Sequence, residues 1–149
     1  KRDEAFEKEY DAEYLSKEDL LKQSDFVSIH VPLLPTTKHL ISTDEFAIMK
    51  PTAFLINTAR GPIVDEKALL TALRDKKIAG AGLDVYECEP AIDCDLTDNM
   101  ELRAMDNAIL TPPTASATIE ARGAMGVVAA KNIITVLEGG EAPNAIKAQ

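Results

Sequence analysis

Ala53-Phe54-Leu55-Ile56-Asn57-Thr58-Ala59-Arg60-Gly61 is a short apolar run that closes on a polar turn and an arginine. A run of this length and apolar density reads as a buried strand. An arginine at the carboxyl end of such a strand faces the crevice where open α/β sheets bind their ligands. Its guanidinium can clamp a carboxylate through two parallel hydrogen bonds. Further along, Gly82-Leu83-Asp84-Val85-Tyr86-Glu87-Cys88-Glu89-Pro90 follows a second apolar run, Ala79 to Val85, in the same manner. Two strand ends that carry unlike charges toward one crevice point to an enzyme site.

The neighbouring segments extend the pattern. Residues 1–14 are highly charged. Ser16 to Leu21 reads as a short helix with Ser16 as its N-cap. Asp25 to Val31 is a strand ended by Pro32, and Pro35, Thr36 and Thr37 mark a loop. Ser42-Thr43-Asp44-Glu45 has the spacing of a capping box, with Ile41 and Phe46 placed to staple it. That helix stops near Lys50 because Pro51 cannot continue it. Asp65 caps a helix that runs through Arg74, with Leu69 and Leu73 on one face. Ala108 to Leu110 is a fourth strand, reached from the third through a loop. A long helix runs from about Thr118 to Glu138 and ends at Gly139-Gly140. Met125, Ala129, Ile133 and Val136 form its apolar stripe. The strands are short apolar runs without strict alternation. The order therefore predicts an α/β fold, a Rossmann-type parallel sheet with helices on both faces and right-handed crossovers.

Composition narrows the function classes. The chain has 149 residues and a formal net charge of −9. That charge argues against a nucleic-acid partner, since such surfaces cluster Lys and Arg. No apolar run approaches the length of about 20 residues that spans a bilayer, so no membrane is expected. The opening Lys1-Arg2-Asp3-Glu4 is not a signal peptide, and a cytoplasmic location is expected. The two cysteines, Cys88 and Cys94, read as a reduced pair, with a disulfide or a metal site as the other readings. The acids Glu87, Glu89, Asp93 and Asp95 read as a solvated loop, and no metal is expected.

A dinucleotide-binding sheet should carry a Gly-x-Gly-x-x-Gly turn between its first strand and helix. The sequence holds none: Gly80-Ala81-Gly82 lies within a strand, and Gly123 and Gly126 lie within the last helix. The sheet thus reads as the second half of a dinucleotide-binding domain.

Several ordered motifs carry a family resemblance. They are Ser24 to Leu33 with Thr37 and Leu40-Ile41, then Asn57-Thr58-Ala59-Arg60-Gly61 with Val64-Asp65. Gly82 to Pro90 follows, and last Leu110-Thr111-Pro112 with Ala115-Ser116-Ala117-Thr118. Together they resemble the D-isomer-specific 2-hydroxyacid dehydrogenases, and within them the glyoxylate/hydroxypyruvate reductases. The resemblance implies a chain that starts partway through the nucleotide-binding domain and runs to the family's carboxyl end. Residues 1–117 would be the partial NAD(P)-binding domain. Residues 118–149 would be the helix and tail that return to a substrate domain. The implied cofactor is NAD or NADP, the implied partner a small 2-keto or 2-hydroxy acid, and the implied assembly of the full-length protein a homodimer. The implied catalytic residues are Arg60, which holds the substrate carboxylate and carbonyl, and Glu89, which keeps an acid-base histidine protonated. Val31, Pro32, Thr58, Ala59, Arg60, Asp84, Pro113, Thr114 and Ala115 would line the cofactor, with Asp84 on the nicotinamide carboxamide.

One position departs from the family. Thr111-Pro112-Pro113 stands where the family has Thr-Pro-His, so Pro113 takes the place of the acid-base histidine. Proline has no titratable group and no backbone donor. Neither His30 nor His39 replaces it by sequence position, since His30 ends a strand beside the expected cofactor and His39 falls in a loop. The second reading is therefore a catalytically inactive dinucleotide-binding or interaction module.

Overall fold

The computed structural model describes residues 2–88 and 97–146. The chain divides into two units, Lys1–Pro112 and Pro113–Gln149.

In the first unit four parallel strands, β1 (Phe26–Ile29), β2 (Phe54–Asn57), β3 (Gly80–Leu83) and β4 (Ala108–Leu110), lie in the order β1-β2-β3-β4. The register aligns Phe26 with Phe54 and Phe54 with Gly80, and Gly82 with Ile109. Five helices accompany them: α1 (Glu4–Tyr10), α2 (Lys17–Gln23), α3 (Thr43–Ile48), α4 (Glu66–Arg74) and α5 (Thr97–Arg103). Local chemistry starts each of the middle three. Ser16 accepts from the Asp19 amide, Ser42 and Glu45 form a capping box, and Asp65 accepts from the Ala68 amide. Pro51 follows α3 as expected.

The core lies between the helices and one face of the sheet. Val27, Ile29, Leu55 and Leu83 meet Leu21, Phe46, Leu69, Leu73 and Leu102, all buried. Ion pairs brace the helix row from outside, Lys17 to Glu45 at 2.6 Å and Arg74 to Glu101 at 2.7 Å. Exposed pairs of this kind contribute little, roughly 0–1 kcal/mol each, so burial holds the row in place.

The structure adds to the sequence reading in three places. The link from β3 to β4 contains the helix α5, not only loop. Among its described side chains only Leu102 is buried, too sparse a signal to show helical spacing. The charged amino-terminal stretch forms α1, capped by Asp3, with Arg2 paired to Glu7 at 2.8 Å. No α1 residue is buried, so no apolar pattern announces it. In burial β1 and β2 do alternate, and within the first unit the core covers one sheet face. Phe26 is 70% exposed and Ile109 71% exposed on the other face, where Phe26 stacks on Phe54 at 5.5 Å. Apolar residues on both faces of these short strands made the alternation invisible in sequence.

The second unit holds a 3-10 turn, Ala115–Ala117, and the long helix α6 (Ile119–Leu137), capped by Thr118. Its end matches the expectation: Gly139 turns left-handed at φ 84°, the Gly139 amide bonds Val136 and the Gly140 amide bonds Thr135. That is a Schellman closure, in which a left-handed glycine satisfies the last carbonyls. Met125, Ala129, Ile133 and Val136 of the expected stripe are exposed, and no residue of the helix is buried, though Ala121, Asn132 and Thr135 are half-buried. A 19-residue helix without a buried residue gains little from burial, and its tie to the tail is the pair of bonds between Asn132 and Asn144.

Candidate functional site

Parallel strands put all their carboxyl ends on one side, and the loops that follow β1, β2 and β3 gather there. Asn57, the last residue of β2, is buried and organises the turn. Its amide nitrogen donates to the Arg60 carbonyl at 2.9 Å, and its amide oxygen accepts from the Ala59 N–H at 3.1 Å. A buried side-chain amide must be satisfied in this way, and satisfying it sets the course of residues 58–60. Gly61 follows and opens a 3-10 turn, Gly61–Ile63. Its α-carbon lies flat against the Tyr86–Glu87 peptide, so close that a β-carbon there would overlap the Tyr86 carbonyl and the Glu87 nitrogen. Arg60 is thus held from both sides.

His30, Val31, Pro32, Leu33, Thr58, Ala59 and Arg60 line one open cavity of about 600 Å³ between the loops after β1 and β2. Of the expected site residues, Val31, Pro32, Thr58, Ala59 and Arg60 therefore come together. The Arg60 guanidinium donates to the Ala59 carbonyl at 2.6 Å and meets no acid among the described residues. Asp84 stands outside that lining, at the end of β3. Its Oδ1 accepts from the Thr111 hydroxyl at 2.5 Å, and its other oxygen has no partner among the described residues. Pro113, Thr114 and Ala115 belong to the second unit, and Glu89 lies outside the described residues. Cys88 is disulfide-bonded, which corrects the reduced reading, while Cys94 lies outside the described residues. Sulfur pairing depends on distance in space, which spacing along the chain does not show.

A second groove of about 410 Å³ runs between α3 and α4, with Phe46, Ala68 and Ala72 in its lining and Lys67 and Asp75 beside them. It lies on the helix layer, and Thr43, Asp65, Thr71 and Lys77 share its lining.

Sequence reading did not find the polar network behind the cavity. His39 Nε2 pairs with Glu87 at 2.6 Å, and its Nδ1 lies 3.9 Å from Asp65. The Glu87 N–H donates to the buried Glu66 carboxylate at 2.6 Å. These partners lie far apart in sequence and share no local motif, so only folding brings them together. Asp65 is partly buried, which alone would raise its pKa. The Ala68 amide, the Ser42 hydroxyl and the His39 ring outweigh burial and hold the carboxyl below its usual value. A depressed carboxylate stabilises the fold above its unfolded pKa, and the benefit is lost as pH falls through the folded one. Asp65→Ala should cost about 1 kcal/mol at pH 7, as lost caps do. The gap between variant and parent should narrow in urea melts taken below about pH 4. A gap that stays constant from pH 7 to pH 3 would remove the charge from this account.

A parallel sheet with a charged and small-residue cavity at its strand ends is an open α/β ligand-binding domain. The chain belongs to the D-isomer specific 2-hydroxyacid dehydrogenase family, whose NAD binding domain model matches residues 1–115. A glyoxylate reductase of Aeropyrum pernix is 48% identical over 145 residues, covering 97% of this chain and 42% of that protein. A glyoxylate reductase of Thermococcus litoralis is 49% identical over 140 residues, covering 94% of this chain and 40% of that protein. The NAD-complexed D-isomer specific 2-hydroxyacid dehydrogenase of Lactobacillus delbrueckii ssp. bulgaricus superposes with a TM-score of 0.87 at 32% identity, covering 99% of this chain and 46% of that one. The chain thus spans about two fifths of the length of the relatives it matches.

Proposed function

We propose that the whole protein interconverts small 2-keto acids and D-2-hydroxy acids by hydride transfer, with glyoxylate and hydroxypyruvate as the keto acids. Arg60 carries this reading. It is a guanidinium with no acid partner among the described residues, anchored at a strand end, beside an open cavity. The relatives named glyoxylate reductase support the substrate class.

The cofactor, NAD or NADP, supplies the hydride. The small and apolar residues Val31, Pro32 and Ala59, with the Thr58 hydroxyl, fit the edge of a flat ring. Asp84, with one oxygen free of partners among the described residues, fits a carboxamide donor. Pro113, Thr114 and Ala115 complete the cofactor lining in this reading. The pyrophosphate cradle needs a glycine turn that these 149 residues do not contain. Arg60 holds the substrate carboxylate with two charge-assisted bonds and draws charge from the carbonyl. Glu89 stands ready to hold a proton on a neighbouring histidine, which position 113 does not provide. Residues 1–117 form the cofactor side and 118–149 return to the substrate domain. The assembly is a homodimer in the cytoplasm.

The test is steady-state NADH and NADPH oxidation by the whole protein with glyoxylate and hydroxypyruvate. Arg60→Ala should lower kcat/KM by about 10²–10³-fold, the scale of one lost charge-stabilising donor. Unchanged kcat/KM would sink the reading. Pro113 favours one rival, an inactive dinucleotide-binding module. Cofactor binding by calorimetry with no turnover on any 2-keto acid would establish that rival.

A further inference from the structure

The polar network behind the cavity has no part in the chemistry proposed above, yet it joins all three loops that shape the site. His39 belongs to the loop after β1. Its backbone is left-handed at φ 51°, a conformation that side-chain-bearing residues avoid unless their surroundings hold them there. Two sets of contacts do so. The His39 N–H donates to the Pro62 carbonyl at 2.8 Å, and the Ile41 N–H to the Ile63 carbonyl at 3.2 Å, which ties this loop to the one after β2. The ring then reaches the Glu87 carboxylate at 2.6 Å, in the loop after β3.

Glu87 is gripped from the other side as well. Its N–H donates to Glu66 Oε1 at 2.6 Å, and its own Oε2 accepts from the Glu66 N–H at 3.4 Å. Glu66 is buried at the start of α4. The Asp65 carboxylate, next in line, takes the Ser42 hydroxyl at 3.0 Å and faces the other ring nitrogen of His39. The peptide that this grip immobilises, Tyr86–Glu87, is the one against which Gly61 lies flat. Gly61 is bonded to Arg60. Any shift of the Glu87 backbone is therefore passed by hard contact to the arginine.

We propose that His39 is a positioning residue whose ring, set between the carboxylates of Glu87 and Asp65, locks the loops after β1, β2 and β3 together and so places Arg60. As a statement about catalysis this rests on the proposed function; as a statement about the fold it does not. Charge-assisted bonds in a partly buried network are the kind whose loss loosens a loop without unfolding a core.

The experiment uses amide hydrogen exchange on this chain and kinetics on the whole protein. In His39→Ala, peptides covering 58–64 and 84–88 should exchange about tenfold faster, the effect of losing one strong tertiary bond. Peptides from α6 should not change. His39→Gln keeps a donor near the position of Nε2 and should restore most of the protection. Glu87→Gln leaves its backbone bond to Glu66 intact and should loosen the same two peptides less than His39→Ala does. In the whole protein His39→Ala should raise KM for the keto acid about tenfold with KM for the cofactor unchanged, and His39→Gln should recover it. Unchanged exchange at 58–64 in both His39→Ala and Glu87→Gln overturns the proposal. An equal rise throughout α3, α4 and the sheet also overturns it, because His39 would then be an ordinary packing residue. Loosened loops in a protein that turns over no keto acid would uphold the lock and refute the proposed reaction instead.

Discussion

Gly61→Ala should cost this chain at least about 4 kcal/mol, in the range reserved for the most damaging substitutions. The added methyl would stand inside the Tyr86 carbonyl group and against the Glu87 nitrogen. Overpacking a core usually costs about 1–3 kcal/mol because side chains turn aside. Here the obstacle is main chain, and main chain has no rotamer to change. The Glu66 carboxylate holds the Glu87 N–H and the His39 ring holds the Glu87 side chain, so relief by movement breaks further bonds. At roughly 4 °C per kcal/mol for a domain of this size, the melting temperature should fall by about 15 °C or more. Gly82→Ala is the control. Its β-carbon would meet only Ile56 Cγ1, at 4.0 Å, an ordinary contact. That variant should match the parent or gain up to about 1 kcal/mol from a stiffer unfolded chain. Similar melting temperatures for the two variants would show that the loops after β2 and β3 do not meet as described.

The second large effect is chemical. In the reaction we propose, hydride arrival at a keto carbon leaves negative charge on oxygen that must be held or protonated. Arg60 can hold it; Pro113 cannot give a proton. General acid-base catalysis contributes about 10²–10⁴-fold, so Pro113→His in the whole protein should raise turnover by that factor. Glu89→Gln should then matter strongly in the histidine form and little in the proline form, because only the former has a partner to lose. Arg60→Ala should damage both forms, since anchoring a carboxylate does not depend on position 113. Turnover of glyoxylate and hydroxypyruvate across this set decides the matter. Equal rates in the proline and histidine forms would mean that another group donates the proton. His30 lines the same cavity as Arg60 and would be the first residue to replace.

Much of the fold was legible because its signals are local. A capping side chain lies within three residues of the amide it satisfies, and so Ser16, Ser42, Asp65 and Thr118 mark their helices in sequence alone. Proline after Lys50 and glycine after Glu138 act on their own backbone and stop their helices where expected. The strands were legible as apolar runs, and their parallel order as an alternation with helices. The helices α1 and α5 were missed because α1 buries nothing and, among its described side chains, α5 buries only Leu102, so neither shows a period in its residues.

The same division holds at the site. The strand-end arginine and the ordered motifs singled out Val31, Pro32, Thr58, Ala59 and Arg60, which line one cavity because each follows the end of its own strand. Only tertiary structure decided how those ends are held. The grip of Glu66 on the Glu87 backbone, the reach of His39 to Glu87, and the flat approach of Gly61 to Tyr86 join residues that no short window contains. It also decided that within the first unit the core covers one sheet face, since exposure depends on what packs above a strand and not on the strand's own residues. Caps, turns and strand ends act over a few bonds and are written in order along the chain. Contacts across loops depend on distances that exist only after the chain has folded.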